Sequence, residues 1–167
     1  MEASISALIV LTVVLFGVLT LTYAYISAQD TILESWREME ERLGDRARTN
    51  LSPVGAEAIG QKTVEVILEN EGDTKLADFD QWDVIVQYDT DDDGDHDVAE
   101  WLTYVTSMPM AGNWSQSIGE VFEPGIFNPG EAMTITLVIS SSVEISSTGV
   151  AIIATPNGIT ASKDFTR

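Results

Sequence analysis

The amino-acid sequence predicts an α+β fold: a long N-terminal hydrophobic α-helix followed by an antiparallel, immunoglobulin-like β-sandwich. Three observations lead there. Between Glu2 and Asp30 the run Ala3 to Ala28 carries no charge. From Thr63 onward the apolar period changes from that of a helix to that of strands. Short alternating segments, punctuated by Gly, Pro and Asn, then recur to the C-terminus, the pattern of an antiparallel sandwich. The expected division is residues 1–50 for the helix and 51–167 for the head.

The first element is the run ASISALIVLTVVLFGVLTLTYAYISA. At 1.5 Å rise per residue it spans about 39 Å as a helix, more than the roughly 30 Å hydrocarbon core of a bilayer. Its apolar residues run all round, so lipid or other protein must surround it. Only Met1 and Glu2 precede it, and the nearest basic residue after it is Arg37. Neither a signal peptide's basic n-region nor an anchor's Lys/Arg flank is present, which fits a basic leader already removed or a chain that starts as the mature protein starts. Ala3 with Ala7, and Thr20 with Ala24 and Ala28, lie four apart on one face, with Gly17 also in the run. That spacing lets helix backbones approach closely. A plain lipid-facing anchor is the simpler alternative, since such residues are common in membrane helices.

The next stretch, QDTILESWREMEERLGDRARTN, continues the helix with a single apolar stripe of Ile32, Trp36, Met39 and Leu43. Glu38 with Arg42 and Glu34 with Arg37 have helix-stabilising spacings. Asn50 to Pro53 ends the helix, because the residue before a proline avoids the αR region. The whole shaft is then about 70 Å long, and its stripe must lie on a head or on a neighbouring subunit.

Strands are expected at Thr63–Asn70, Trp82–Tyr88, Trp101–Thr106, Met133–Ser140 and Gly149–Thr155. Shorter pieces near Leu76–Phe79, Ile118–Phe122 and Ile159–Phe165 bring the total to seven or eight. The segment Phe122 to Glu131, with two Pro-Gly turns, reads as a connector.

Composition narrows the function. The 167 residues hold 27 Asp and Glu against 8 Lys and Arg, for a net charge of −19, and the head's only cations are Lys62, Lys75, Lys163 and Arg167. Such a surface repels phosphate backbones, which excludes nucleic-acid binding. No cysteine is present, so disulfides and Cys-based zinc sites are excluded. With one histidine and no phosphate-cradling glycine loop, nothing points to an enzyme.

The sharpest motif is Asp89-Thr-Asp-Asp-Asp-Gly-Asp-His-Asp-Val-Ala-Glu100, which meets the calcium-loop pattern D-x-[DN]-x-[DN]-G-x5-E at every specified position. Asp89, Asp91, Asp93 and Asp97 would offer carboxylates, Asp95 its carbonyl and Glu100 two oxygens around a structural Ca2+. Strands are expected on both sides, which makes this a hairpin loop and not an EF-hand. The bland alternative is a solvated acidic turn. His96 occupies a position that supplies no ligand. Two N-x-[ST] sequons, at Asn50 and Asn113, fall where loops are expected and are candidate glycosylation sites in an exported protein.

The opening MEASISALIVLTVVLFGVLTLTYAYISAQ, the segments LENEGDTKL and FDQWDVIVQYD, and FNPGEAMTITLVIS ahead of the last strands together resemble the type IV pilin superfamily. Within it the chain looks most like archaellins and the archaellar F- and G-type accessory proteins. The resemblance implies a leader removed by a prepilin-type peptidase, insertion in the cytoplasmic membrane before assembly, and a helical homo-oligomeric filament on the cell surface built by an archaellum or pilus assembly machinery. Its core would be bundled helices packed through Ala3, Ala7, Gly17, Thr20, Ala24 and Ala28, with Trp36, Met39 and Leu43 docked on heads. A membrane-retained stator or a surface adhesin is the alternative it also implies. Ile5 stands where bacterial type IV pilins usually carry Glu, which argues against a conventional bacterial pilin.

Overall fold

In the computed structural model, residues 2–90, 98–119 and 122–167 are described, with side chains from Ile5 onward. One helix, α1 (Glu2–Arg48), precedes eight strands: β1 (Leu51–Ala58), β2 (Thr63–Asn70), β3 (Asp83–Tyr88), β4 (Val98–Tyr104), β5 (Asn113–Ile118), β6 (Ala132–Val138), β7 (Thr148–Ala154) and β8 (Thr160–Thr166). The chain divides into two units, residues 1–43 and 44–167. The break falls at Gly44, which has the lowest helix propensity of any residue in that stretch.

The head is one sheet in the order β1-β2-β6-β5-β4-β3-β7-β8, with its end strands β1 and β8 lying against each other. Its two halves enclose a single core. β2 contributes Val64, Val66 and Leu68, β6 Met133, Ile135 and Leu137, β3 Val84 and Val86, and β7 Ala151 and Ile153, all fully buried. Strict alternation in β2 and β6 explains why they form: every second residue is apolar and inward, and Glu65, Thr134 and Thr136 point the other way. Aromatic rings close the sandwich between the halves, with Tyr104 on Trp114 at 4.8 Å and Phe79 on Trp82 at 5.1 Å between centroids.

All pairings are antiparallel except one. β4 and β5 run parallel over the two pairs Thr103–Asn113 and Tyr104–Trp114, and this short seam joins the two halves. The seam exists because the chain between them turns back on Gly112, at φ 79°, whose carbonyl accepts from the Thr103 amide at 2.9 Å.

Several expected strands differ in detail. β1 and β5 were not legible: LSPVGAEA carries Pro and Gly, and NWSQSI is mostly polar. β1 tolerates both residues because it is hydrogen-bonded on one side only, with a register shift between Pro53 and Gly55. The expected strand at Ile118–Phe122 is instead the end of β5, with Gly119 after it. Leu76–Phe79 contributes one bridge, Leu76 to Phe127, and then a 3-10 turn at Phe79–Gln81.

The last turn of α1 is fastened into the head. Arg48 and Asn50 offer their carbonyls to the amides of Asp73 at 2.8 Å and of Glu71 and Gly72 at 3.0 and 3.1 Å. The Asn157 amide reaches the Thr49 hydroxyl at 2.7 Å. Gly72 sits so close that a Cβ would lie 2.5 Å from both the Arg48 carbonyl oxygen and the Asn50 nitrogen. Both neighbours are backbone and cannot turn aside. Gly72→Ala is therefore expected to destabilise the head by about 1–3 kcal/mol, measured by denaturant unfolding; an unchanged midpoint would show that the neck yields freely.

Candidate functional site

Taken by itself, the helical unit has almost no covered side chain. From Ile5 to Leu43 the large apolar residues are exposed, and the segment is long and apolar enough to cross a membrane. Of the residues expected to pack in a filament, Ala7, Thr20, Ala24 and Ala28 lie on this exposed surface and Gly17 is half-buried, while the side chain of Ala3 lies outside the described residues. Trp36, Met39 and Leu43 are 66%, 53% and 57% exposed.

The threonine hydroxyls on this helix, and that of Ser35, are not free donors. Thr12, Thr22, Thr31 and Ser35 each donate to the carbonyl four residues back, at 2.8–3.1 Å. Thr20 donates to both Phe16 and Gly17 at 3.1 and 2.9 Å. A hydroxyl satisfied on its own helix can face hydrocarbon without an unpaired polar group.

The acidic loop is only partly placed. Asp91, Asp93, Asp95 and Asp97 lie outside the described residues, as does His96. Asp89 follows β3 directly, and Glu100 lies on β4 opposite Val86. The expected hairpin is therefore present as the β3–β4 pair, with five residues of each strand in register. Among the described residues no three acidic or histidine side chains converge as a metal site.

Glu100 already has partners. One carboxylate oxygen accepts from the Ser140 hydroxyl at 2.6 Å, and the other from the Ser140 amide at 2.9 Å and the Tyr88 hydroxyl at 3.2 Å. Bidentate ligation by Glu100 would compete with all three bonds. They tie β4 to the chain leaving β6, so this side chain has a structural task of its own. Burial, together with the Glu100 carboxylate, holds the Tyr88 hydroxyl above its ordinary pKa, against the lowering effect of the Ser141 amide that donates to it.

Of the two sequons, Asn50 lies in a loop as expected and Asn113 does not. Asn50 is exposed in the α1–β1 connection, with its side-chain amide donating to Glu71 at 3.2 Å. Asn113 is the first residue of β5, half-buried and paired with Val138 and Thr103, and Trp114 after it is fully buried. The polar NWSQSI pattern hid a strand, because its partners on both sides supply the apolar content.

Comparison with known proteins adds the fold. No family model matches the sequence, and no curated protein matches it. Among solved structures, a chain of the archaeal flagellum of Methanospirillum hungatei strain JF1 superposes with TM-score 0.61 at 16% identity, over 97% of this chain and 92% of that one. The archaellum periplasmic stator protein FlaG from Sulfolobus acidocaldarius superposes with TM-score 0.53 at 23% identity, over 70% of this chain and 99% of that one. A chain of the FlaF and FlaG stator complex from the same organism gives 0.53 at 21%, over 69% and 87%.

Replacing Glu100 by Gln removes a charged acceptor from three donors. Unfolding stability is expected to drop by about 1–3 kcal/mol without added calcium, as read by chemical denaturation; no loss would mean that Ser140 and Tyr88 find equal partners in solvent. The helix-plus-sandwich architecture anticipated from the sequence is thus the observed one, and it is the fold of archaellum proteins.

Proposed function

We propose that this chain is a non-enzymatic structural protein of an archaellum-type machine, and specifically a subunit of its helical surface filament. The observation that carries this reading is the likeness to the flagellar chain over 97% of the sequence, helix included. A helix apolar on all sides, with its threonine hydroxyls internally bonded, suits two environments in turn: lipid before assembly and a bundle of identical helices afterwards. Lipid is exchanged for protein with no loss of apolar burial. The acidic heads would coat the outside, and a prepilin-type peptidase would prepare the N-terminus.

A specific observation favours a second reading. The stator protein FlaG matches across 99% of its own length, at the higher identity. A membrane-held stator whose head binds a cell-envelope partner is therefore the alternative within the same machine.

Electron microscopy of sheared surface filaments, with mass spectrometry of their main subunit, separates the two. The filament reading expects this chain as the major component, with its N-terminus at or near Met1. Retention of the chain in the membrane fraction, with filaments made of another protein, would assign it to the stator.

The Asp89–Glu100 loop is proposed to hold one structural Ca2+ through its aspartates, with Glu100 joining only if it releases Ser140. Hard oxygen donors at this density suit calcium, and the ion would offset repulsion among carboxylates. Saturating calcium is then expected to raise the melting temperature by roughly 5 °C, and Asp93→Ala to abolish that rise. An identical calcium response in the variant would end the metal reading.

A further inference from the structure

The two halves of the head differ on their outer faces. On β2 and β6 the outward positions include Glu65, Glu69, Thr134 and Thr136, with exposed Ile67 among them. β7 has no such alternation: GVAIIA is apolar at every position, the pattern of a strand covered on both faces. β3 reads Val-Ile-Val at its centre in the same way. The strand register places Trp101, Ile85 and Ile152 in one row across β4, β3 and β7 on the outer side, with Val150 beside it. Trp101 is 58% exposed, and its indole N–H donates to Asp83 at 3.2 Å, which holds the ring against this row.

In that row Trp101 is exposed and Ile85, Ile152 and Val150 are half-buried; a more exposed apolar surface lies on α1. Ile32, Trp36, Met39 and Leu43 form one stripe of α1, each more than half exposed. On the 3.6-residue period, Arg42 and Arg46 border one edge of that stripe and Glu40 the other, whereas Glu34, Glu41 and Asp45, with Arg37 and Arg48, fall on the far side. The outer face of β3, β4, β7 and β8 carries acids in Asp83 and Asp164. The Arg42–Arg46 edge of the stripe is thus opposite in sign to the acids beside the apolar row.

We propose that the outer face of β3, β4 and β7 in one copy receives the Ile32–Leu43 stripe of a second copy's helix, with Trp101 as the anchor and Arg42 and Arg46 facing Asp83 and Asp164. The inference rests on the filament reading and adds the contact that sets one subunit against the next. Row and stripe are different patches, so the contact is heterologous and propagates from copy to copy without closing on itself, as a helical filament requires. Aromatic and arginine anchors at such a contact account for a large share of its strength.

The absence of native cysteine gives a clean test in the full-length protein. Ala99→Cys places a thiol on the outer face beside the row, and Ser35→Cys places one at the edge of the stripe. Bismaleimide treatment of filaments carrying both is expected to give a ladder of multimers on a denaturing gel, with no more than dimers from either single variant. Cross-links within one chain only, or none, in filaments of normal yield would overturn the inference and leave the filament reading standing. Absence of the wild-type chain from surface filaments would end both. As a second variant, Trp101→Ser should leave head unfolding nearly unchanged, since the side chain is exposed, yet lower filament yield at least about tenfold. Unchanged yield would overturn the inference, as would lost yield without the ladder in the cysteine pair, which would assign the face to another partner.

Discussion

The structure depends on one constraint: a helix that is apolar on every side cannot stand in water. The uncharged run from Ala3 to Ala28 leaves no polar face to solvate, so each exposed Leu, Val and Phe along it requires lipid or a neighbouring helix. The head answers a different demand. It builds its own core from alternating strands and, Glu131 apart, keeps its described carboxylates out of that core. The chain therefore joins a part that is incomplete alone to a part that is complete, and the second part includes the last turn of α1, which Arg48 and Asn50 tie to the turn after β2.

That neck shows how a mechanical connection is made from ordinary backbone chemistry. A helix end leaves carbonyls without intrahelical partners. Here those of Arg48 and Asn50 are taken by the turn after β2, and the fit is close enough to demand glycine at position 72. Most of the anchorage is made by main-chain groups, with the Asn157 side chain on Thr49 beside them. Buried Glu131 organises the connector before β6 through its side chain, its carboxylate accepting from the Asn128 and Phe122 amides.

Much of this was legible in the sequence where a single face decides the structure. The helix, its end near Asn50, and the strands β2, β3, β6, β7 and β8 follow from period and punctuation, because each residue's side is fixed by local alternation or charge. β1 and β5 escaped because their strand character is borrowed from neighbours. LSPVGAEA is held as a one-sided edge, and NWSQSI is held between β4 and β6 around one buried tryptophan. The candidate site divides in the same way. The calcium-loop spacing is a statement about residue types, and it contained no sign that Glu100 is committed to Tyr88 and to Ser140, the latter 40 residues away in sequence. The unbroken apolar content of β7 was visible in the sequence, but its meaning requires the register that puts Ile152 beside Ile85 and Trp101.

The threonine hydroxyls of the helix bear on the direction of assembly. Each donates to a carbonyl of its own turn, so on the filament reading these hydroxyls gain and lose no hydrogen bond when the helix leaves lipid for a bundle. Nor is apolar surface newly hidden, since lipid tails already cover it. On the filament reading, hydrogen bonding and apolar burial therefore give assembly no strong preference for either side. What then favours the bundle is close packing of helix on helix through the small residues, together with contacts that exist only once the heads have met.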